Sequence, residues 1–199
     1  MRGARRSVAL LTRASLREPV ILKQLVNLSH LDYTTALHSV NVMTLTLGFA
    51  HKVGFDWRRT LQFGLAALLH DIGKMQLPEK LLKSPCRLTE EQFRLIKLHP
   101  MMAVDVLKRA GMSLPKVHAA ATEHHEKMDG TGYPRGIKDI SLVGQIVGLI
   151  DAYEALTNED RPYRRAVAPE QALLILKKDT DRGRYMSTVY DKFLLSLTT

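Results

Sequence analysis

Hydrophobic positions along this chain recur with the spacing of an α-helix, and no stretch alternates convincingly with the period of two that a half-buried strand requires. Apolar stripes with helical spacing predict helices over 19–29, 33–51, 115–126, about 141–157, about 168–178 and about 187–197. The predicted fold class is all-α, a helical bundle that forms a single domain over residues 19–199. Residues 1–18 are interpreted as a basic N-terminal leader.

Cap and turn residues indicate where several of these helices begin and end. Asp56 is a candidate N-cap for a helix that runs into His70. The run Thr89-Glu90-Glu91-Gln92 has the pattern of a capping box. Pro100 is expected to start a helix that Gly111 ends.

The composition is that of an ordinary globular domain, with 199 residues, 45% hydrophobic and 25% charged. The single Cys86 excludes an internal disulfide and fits a reducing compartment. No apolar run approaches the roughly 18 residues that a membrane-spanning helix needs, and the apolar stretch 8–11 is too short for a signal-peptide core. We therefore expect a cytoplasmic protein without a membrane span.

The formal net charge of +9 raises the question of a polyanionic partner. Basic residues are scattered, however, and cluster only at 2–6, 161–165 and 177–178. Neither a nucleic-acid-binding motif nor an aromatic platform accompanies them. A nucleic-acid polymer is thus disfavoured as the partner, and an anionic membrane surface or a phosphorylated small molecule remains.

Two short strings carry the chemistry. One runs from His124 to Pro134 as HHEKMDGTGYP, with adjacent imidazoles entering an acidic turn that glycines break. The other is His70-Asp71 with Lys74 three positions on. Imidazole is the commonest transition-metal ligand at neutral pH, a carboxylate can bridge two metals, and a lysine suits a phosphate. The combination predicts a metal-dependent phosphoester hydrolase.

Other polar residues in apolar surroundings extend this set. His38 lies mid-helix among Leu37 and Val40, Asp151 follows the apolar run 147–150, and His99 precedes Pro100. Each has an ordinary structural explanation when taken alone, such as a hydrogen-bonded core histidine or a helix cap. Their coincidence in one small domain favours a shared site. The remaining histidines are taken as structural or surface residues, namely His30, His51 and His118.

These motifs, in this order, resemble the HD-GYP domain, a branch of the HD phosphohydrolases. The resemblance covers about residues 20–197, and the Gly132-Tyr133-Pro134 tripeptide is its most specific part. It implies an HD-type helical bundle that hydrolyses the bacterial messenger cyclic di-GMP to pGpG, to GMP or to both. A regulatory protein partner is compatible with the family.

The resemblance also implies a site with two divalent transition metals, iron or manganese. The first metal would take His38, His70, Asp71 and Asp151, and the second His99, His124 and His125, with Asp71 bridging the two. A hydroxide that bridges the metals would attack the phosphate. The remaining implied roles are a catalytic contact of Lys74 with the scissile phosphate and substrate binding by Lys74, Tyr133, Arg161 and Arg164.

Three positions depart from the family pattern. Some members of the family bind a third metal through a glutamate. The residue at that position here is Thr34, a poor metal ligand, so two metals are favoured. In the family pattern, an aspartate follows the aromatic residue of the Asp151 motif. Glu154 occupies that position here, and we expect the change to be tolerated. One extra residue within 158–160 leaves the placement of Arg161 and Arg164 open.

Two other functions stay open. A non-catalytic receptor or interaction module for cyclic dinucleotides could use the same pocket, although degenerate members lose ligands that are present here. An HD nucleotidase acting on mononucleotides is the second, but such enzymes lack the Gly-Tyr-Pro turn. Within that turn, Asp129 could stabilise the backbone or contact Lys74, and the first is favoured.

Overall fold

The computed structural model describes residues 26–27, 29–30, 32–84, 86, 88–158 and 166–198. The predicted leader at 1–18 and most of the segment 19–29 lie outside the described residues, as do Arg161 and Arg164. All regular secondary structure within the described ranges is helical, so the predicted all-α class is confirmed. Single-domain organisation over 19–199 stays a prediction.

The α-helices and one 3-10 helix follow one another along the chain. In order they are α1 (Tyr33–Lys52), α2 (Trp57–Leu68), the 3-10 helix (Ile72–Gln76), α3 (Glu79–Leu82), α4 (Glu90–Ile96), α5 (His99–Arg109), α6 (Pro115–Glu123), α7 (Leu142–Thr157), α8 (Pro169–Asp181) and α9 (Ser187–Leu197).

Helix starts follow the cap residues of the sequence. The side chain of Asp56 accepts a hydrogen bond from the backbone N–H of Arg59 at 2.8 Å, as an N-cap does. Thr89 and Gln92 exchange side-chain and backbone hydrogen bonds at the start of α4, so the predicted capping box is confirmed. These bonds satisfy N–H groups that the first turn of a helix leaves without partners.

Helix α7 lies at the centre of the bundle. It packs against α1, α2, α6, α8 and α9, and its residues Ile146, Leu149 and Ile150 are fully buried. A helix that is apolar on nearly all faces is expected in the interior, and each such side chain contributes about 1.5–3 kcal/mol when it is fully buried. Asp151 follows these residues on α7 and is therefore held deep in the protein.

Two helices end earlier than the hydrophobic pattern predicts. Helix α2 ends at Leu68 rather than at His70, and α6 ends at Glu123 rather than at residue 126. Successive residues of a helix point about 100° apart, so an adjacent pair inside a helix cannot face one centre. Both metal-binding candidate pairs, His70-Asp71 and His124-His125, lie in turns just after a helix, where their side chains converge.

No helix in the described part of the chain is long and apolar enough to cross a membrane.

Candidate metal centre

Seven side chains from five parts of the fold meet in one buried cluster. Their donor atoms form three overlapping groups, within each of which the atoms lie within 4.8 Å of one another. The groups are Asp71 with His99, His124 and His125; His38 with His70 and Asp71; and His70 with His124 and Asp151.

Asp71 lies between two sets of imidazoles. Its Oδ1 is 3.1 Å from His99 Nε2 and 3.7 Å from His124 Nε2. Its Oδ2 is 3.7 Å from His38 Nε2 and 3.5 Å from His70 Nε2. One carboxylate thus offers a separate oxygen to each of two histidine pairs, which is the arrangement of a bridging ligand.

Asp151 joins the same cluster from α7. Its Oδ1 is 3.0 Å from His38 Nε2 and 3.8 Å from His70 Nε2, and its Oδ2 is 3.9 Å from His125 Nδ1. Two donors bound to one ion at about 2.1 Å lie about 3.0–3.4 Å apart at octahedral or tetrahedral angles. The separations in the cluster are close to this range, so small side-chain movements would suffice to bind a cation.

Backbone carbonyls fix the tautomer of three histidines. In each of them Nδ1 donates a hydrogen bond to a carbonyl oxygen about one turn earlier in the chain. The pairs are His70 with Ala67 at 2.6 Å, His99 with Ile96 at 2.7 Å, and His124 with Ala120 at 2.9 Å. A carbonyl only accepts, so Nδ1 carries the proton and Nε2 turns its lone pair to the centre, as metal-binding histidines do.

Several polar atoms at the centre are buried without a hydrogen bond. Among the described residues, His38 Nε2, His70 Nε2 and Asp71 Oδ1 belong to this group. An unsatisfied polar atom in the interior is costly, and three of them within one cluster are explained if cations bind there. The donor set of imidazole and carboxylate therefore fits divalent transition metals.

The protonation states of Asp71, His70 and His125 also suit a metal. Burial raises the pKa of Asp71, but Lys74 and His70 outweigh burial and hold that pKa well below its usual range. Burial lowers the pKa of His70 to about 4 and that of His125 well below its usual value. At neutral pH the carboxylate is ionised and these imidazoles are neutral, which are the states that bind metal.

His38 differs because two carboxylates flank it. Burial lowers its pKa, but the neighbouring carboxylates of Asp151 and Glu154 outweigh burial and raise it to about 9. Glu154 binds Nδ1 of His38 and also accepts a hydrogen bond from Asn41 Nδ2 at 2.9 Å. The glutamate that replaces the usual aspartate therefore still orients a candidate ligand, as the sequence led us to expect.

Two glycines let the backbone segments that carry the histidines approach closely. A Cβ on Gly73 would overlap the carbonyl oxygen of His99, and a Cβ on Gly148 would overlap the carbonyl oxygen of His124. The 3-10 helix therefore packs directly on α5, and α7 packs directly on the turn after α6.

Lys74 and Tyr133 border the cluster. Lys74 Nζ forms an ion pair with Asp71 Oδ2, and its side chain is 18% exposed, so the ammonium group can also reach a ligand from solvent. The Tyr133 ring stacks on the His125 ring with centroids 4.5 Å apart and an interplanar angle of 26°. Burial raises the pKa of Tyr133, so its hydroxyl stays protonated and can donate a hydrogen bond.

A family model described as an HD domain matches residues 17–189. The chain belongs to the HD-domain family. It is 37% identical over 160 residues to a cyclic di-GMP phosphodiesterase of Pseudomonas aeruginosa. This alignment covers 79% of this chain and 38% of that protein. The chain is 34% identical over 160 residues to 3'3'-cGAMP-specific phosphodiesterase 1 of Vibrio cholerae, covering 79% and 36% respectively.

Among solved structures, an HDG"Y"P protein from Bdellovibrio bacteriovorus aligns with a TM-score of 0.65 and 26% identity, covering 81% of this chain and 52% of that chain. The family resemblance drawn from the motifs is therefore confirmed. The chain spans well under half the length of the two phosphodiesterases, 38% and 36%.

For this HD domain, the division of the seven ligands between two metals stays a prediction, as do the roles of Lys74 and Tyr133. Arg161 and Arg164 lie outside the described residues. Thr34, at the position of a third-metal ligand, is exposed.

The three histidines that the sequence predicts to be structural or surface residues are not members of the cluster. His30 and His51 are exposed, and His118 Nε2 is 2.9 Å from the carbonyl oxygen of Met112. Cys86 is exposed and free.

The turn of the HD domain that carries Tyr133 is held by two acidic residues. Asp129 accepts hydrogen bonds from the backbone N–H of Thr131 at 2.9 Å and from its hydroxyl at 2.6 Å, which confirms its predicted role in the turn. Glu126 is buried and accepts from the backbone N–H groups of Arg135 at 2.8 Å and Ile137 at 3.2 Å. The sequence predicts no role for Glu126, although its place between the two histidines and the turn is a signal of one.

Proposed function

We propose that this HD domain is a metal-dependent phosphodiesterase that cleaves cyclic dinucleotides. The observation that carries the proposal is the position of Asp71, whose two oxygens face separate histidine pairs across a buried centre. Such a centre suits a phosphodiester, whose reaction develops negative charge on the phosphoryl oxygens. The names of the relatives support the substrate class, since both are cyclic dinucleotide phosphodiesterases.

Cyclic di-GMP is the proposed substrate, with pGpG, GMP or both as products. The relative from Pseudomonas aeruginosa is named for this nucleotide. The hybrid 3'3'-cGAMP is the second candidate, because the relative from Vibrio cholerae is named for it. Both nucleotides present the same pair of phosphates, so the metal centre alone does not distinguish them.

We assign the first metal to His38, His70, Asp71 and Asp151, and the second to His99, His124 and His125 with Asp71 shared. Iron or manganese suits this mixture of imidazole and carboxylate. When bound, the metals would activate water and neutralise charge on the phosphate.

The remaining site residues act on the substrate directly. Lys74 presents its ammonium group beside Asp71 and would neutralise charge that develops on the scissile phosphate. Tyr133, neutral and fixed by its stacking on His125, would donate a hydrogen bond to the bound nucleotide. Arg161 and Arg164 are proposed to bind the guanine and phosphate groups.

The test is a substrate panel on the full chain reconstituted with Mn(II) or, under anaerobic conditions, Fe(II). Cyclic di-GMP, 3'3'-cGAMP and GMP are incubated with the protein, and the products are separated by chromatography. We expect opening of a cyclic dinucleotide and no release of phosphate from GMP. Dephosphorylation of GMP alone would instead identify a nucleotidase, and binding of cyclic di-GMP without cleavage would identify a receptor.

A further inference from the structure

A lysine at the edge of the metal centre has no role in the ligand set. Lys97 directly follows the last residue of α4, Ile96, and lies two positions before His99, the first residue of α5. Its Nζ lies 4.9 Å from the ring centroid of Phe93 and 5.3 Å from that of Tyr133. Two aromatic faces thus hold this ammonium group beside the tyrosine that stacks on His125.

The charge of Lys97 is not neutralised by a carboxylate. Within the described ranges no acidic oxygen lies within 4.0 Å of its Nζ, whereas other lysines form such pairs, including Lys74 with Asp71 and Lys177 with Asp181. Aromatic faces attract a cation without cancelling its charge. Lys97 therefore presents a positive charge that is still available to an anion.

A cyclic dinucleotide carries two phosphates, and the metal centre with Lys74 accounts for one of them. The second phosphate lies across the ring of the nucleotide, so it has to lie outside the cluster when the first is at the metals. Lys97 borders the same site on the side of Tyr133. Tyr133, which Lys97 contacts, stacks on His125, a member of the cluster.

We propose that Lys97, held between the rings of Phe93 and Tyr133, binds the phosphate of the cyclic dinucleotide that is not cleaved. This inference rests on the proposed function, because it concerns how the same site holds its substrate. Lys97 contributes to binding in the ground state and in the transition state alike, so its loss raises KM and leaves kcat nearly unchanged. It also favours substrates with two phosphates over simple phosphodiesters.

The experiment compares Lys97→Met and Lys97→Arg with the parent chain on two substrates. Cyclic di-GMP has the second phosphate, and bis(p-nitrophenyl) phosphate has one phosphodiester only. Lys97→Met should raise KM for cyclic di-GMP about fivefold to tenfold, the range for one partly exposed charged contact. Its KM for the simple diester should not change, and Lys97→Arg should restore the parent values because it restores the charge.

Lys177→Met is the matched control, since it removes an exposed lysine on α8 that pairs with Asp181. It should match the parent on both substrates. An unchanged KM of Lys97→Met for cyclic di-GMP would overturn the inference. An equal loss on both substrates would also overturn it, because Lys97 would then only support the position of Tyr133 or His99.

Failure of the proposed function is recognised separately, by a parent chain that cleaves neither substrate. Calorimetric titration of cyclic di-GMP into the metal-loaded parent and Lys97→Met then decides the inference by itself. Weaker binding by the variant supports the phosphate contact. Equal binding by both proteins, or no binding by the parent, overturns it.

Discussion

Replacement of Gly148 by alanine tests how α7 positions the metal centre. A Cβ at this position would overlap the carbonyl oxygen of His124 and would lie 3.1 Å from its carbonyl carbon and 3.3 Å from its Cα. The obstacle is backbone, and His124 is buried with 1% exposure, so it cannot swing away as a flexible side chain could. The substitution should therefore push the turn after α6 away from α7.

The expected magnitude follows from two opposing effects. Alanine is favoured over glycine within a helix by about 0.8–1.0 kcal/mol. Overpacking of a well-packed interior costs about 1–3 kcal/mol, and an overlap with backbone belongs near the upper end. We expect Gly148→Ala to lower the free energy of unfolding by about 1–2 kcal/mol.

Gly48 in α1 provides a matched control, because a Cβ there would meet no atom within 4 Å. Gly48→Ala should raise the free energy of unfolding by about 0.8–1.0 kcal/mol, the gain in helix propensity alone. Equilibrium unfolding in urea, followed by circular dichroism with a chelator present, measures both variants without a contribution from bound metal. If Gly148→Ala were as stable as Gly48→Ala, the close packing of α7 on His124 would be refuted.

Other substitutions test single parts of the site. Lys74→Ala should retain bound metal but lower kcat about 10²–10³-fold, as loss of one transition-state contact does; an emptied site in elemental analysis would contradict this role. Asp71→Asn should bind fewer metal ions than the parent, because an amide bridges two cations poorly; an unchanged metal content would exclude the bridging position. Glu126→Gln should lower the free energy of unfolding by about 1–3 kcal/mol, since one of the N–H groups of Arg135 and Ile137 loses its acceptor, and equal stability of parent and variant in urea would show that this contact is dispensable.

Local features of the fold could be predicted from the sequence because their causes are local. The capping box at Thr89 and the N-cap at Asp56 satisfy N–H groups within one turn, and the structure contains both. The early ends of α2 and α6 could not be predicted from periodicity. The two helices end early because the pairs His70-Asp71 and His124-His125 turn towards a common centre. The other members of that centre come from distant parts of the chain, so the local pattern does not reveal it.

The same distinction holds for the site. The histidines and aspartates stood out because polar groups on apolar helices are costly unless they share a partner. Glu126, Lys97 and Gly148 did not stand out, since their roles depend on contacts with residues far away or on other helices. A glycine inside a helix or a lysine at its end has many ordinary explanations, and only the packed structure distinguishes among them.

The central claim is that the buried cluster holds two metals and that hydrolysis depends on them. The most direct test is a titration of metal-free protein with Mn(II), in which bound metal per chain and the rate of cyclic di-GMP hydrolysis are measured on the same samples. We expect no turnover without metal, a rate that rises until two ions are bound per chain, and loss of the rate when a chelator is added. Full turnover in protein shown by elemental analysis to be free of metal would contradict the account.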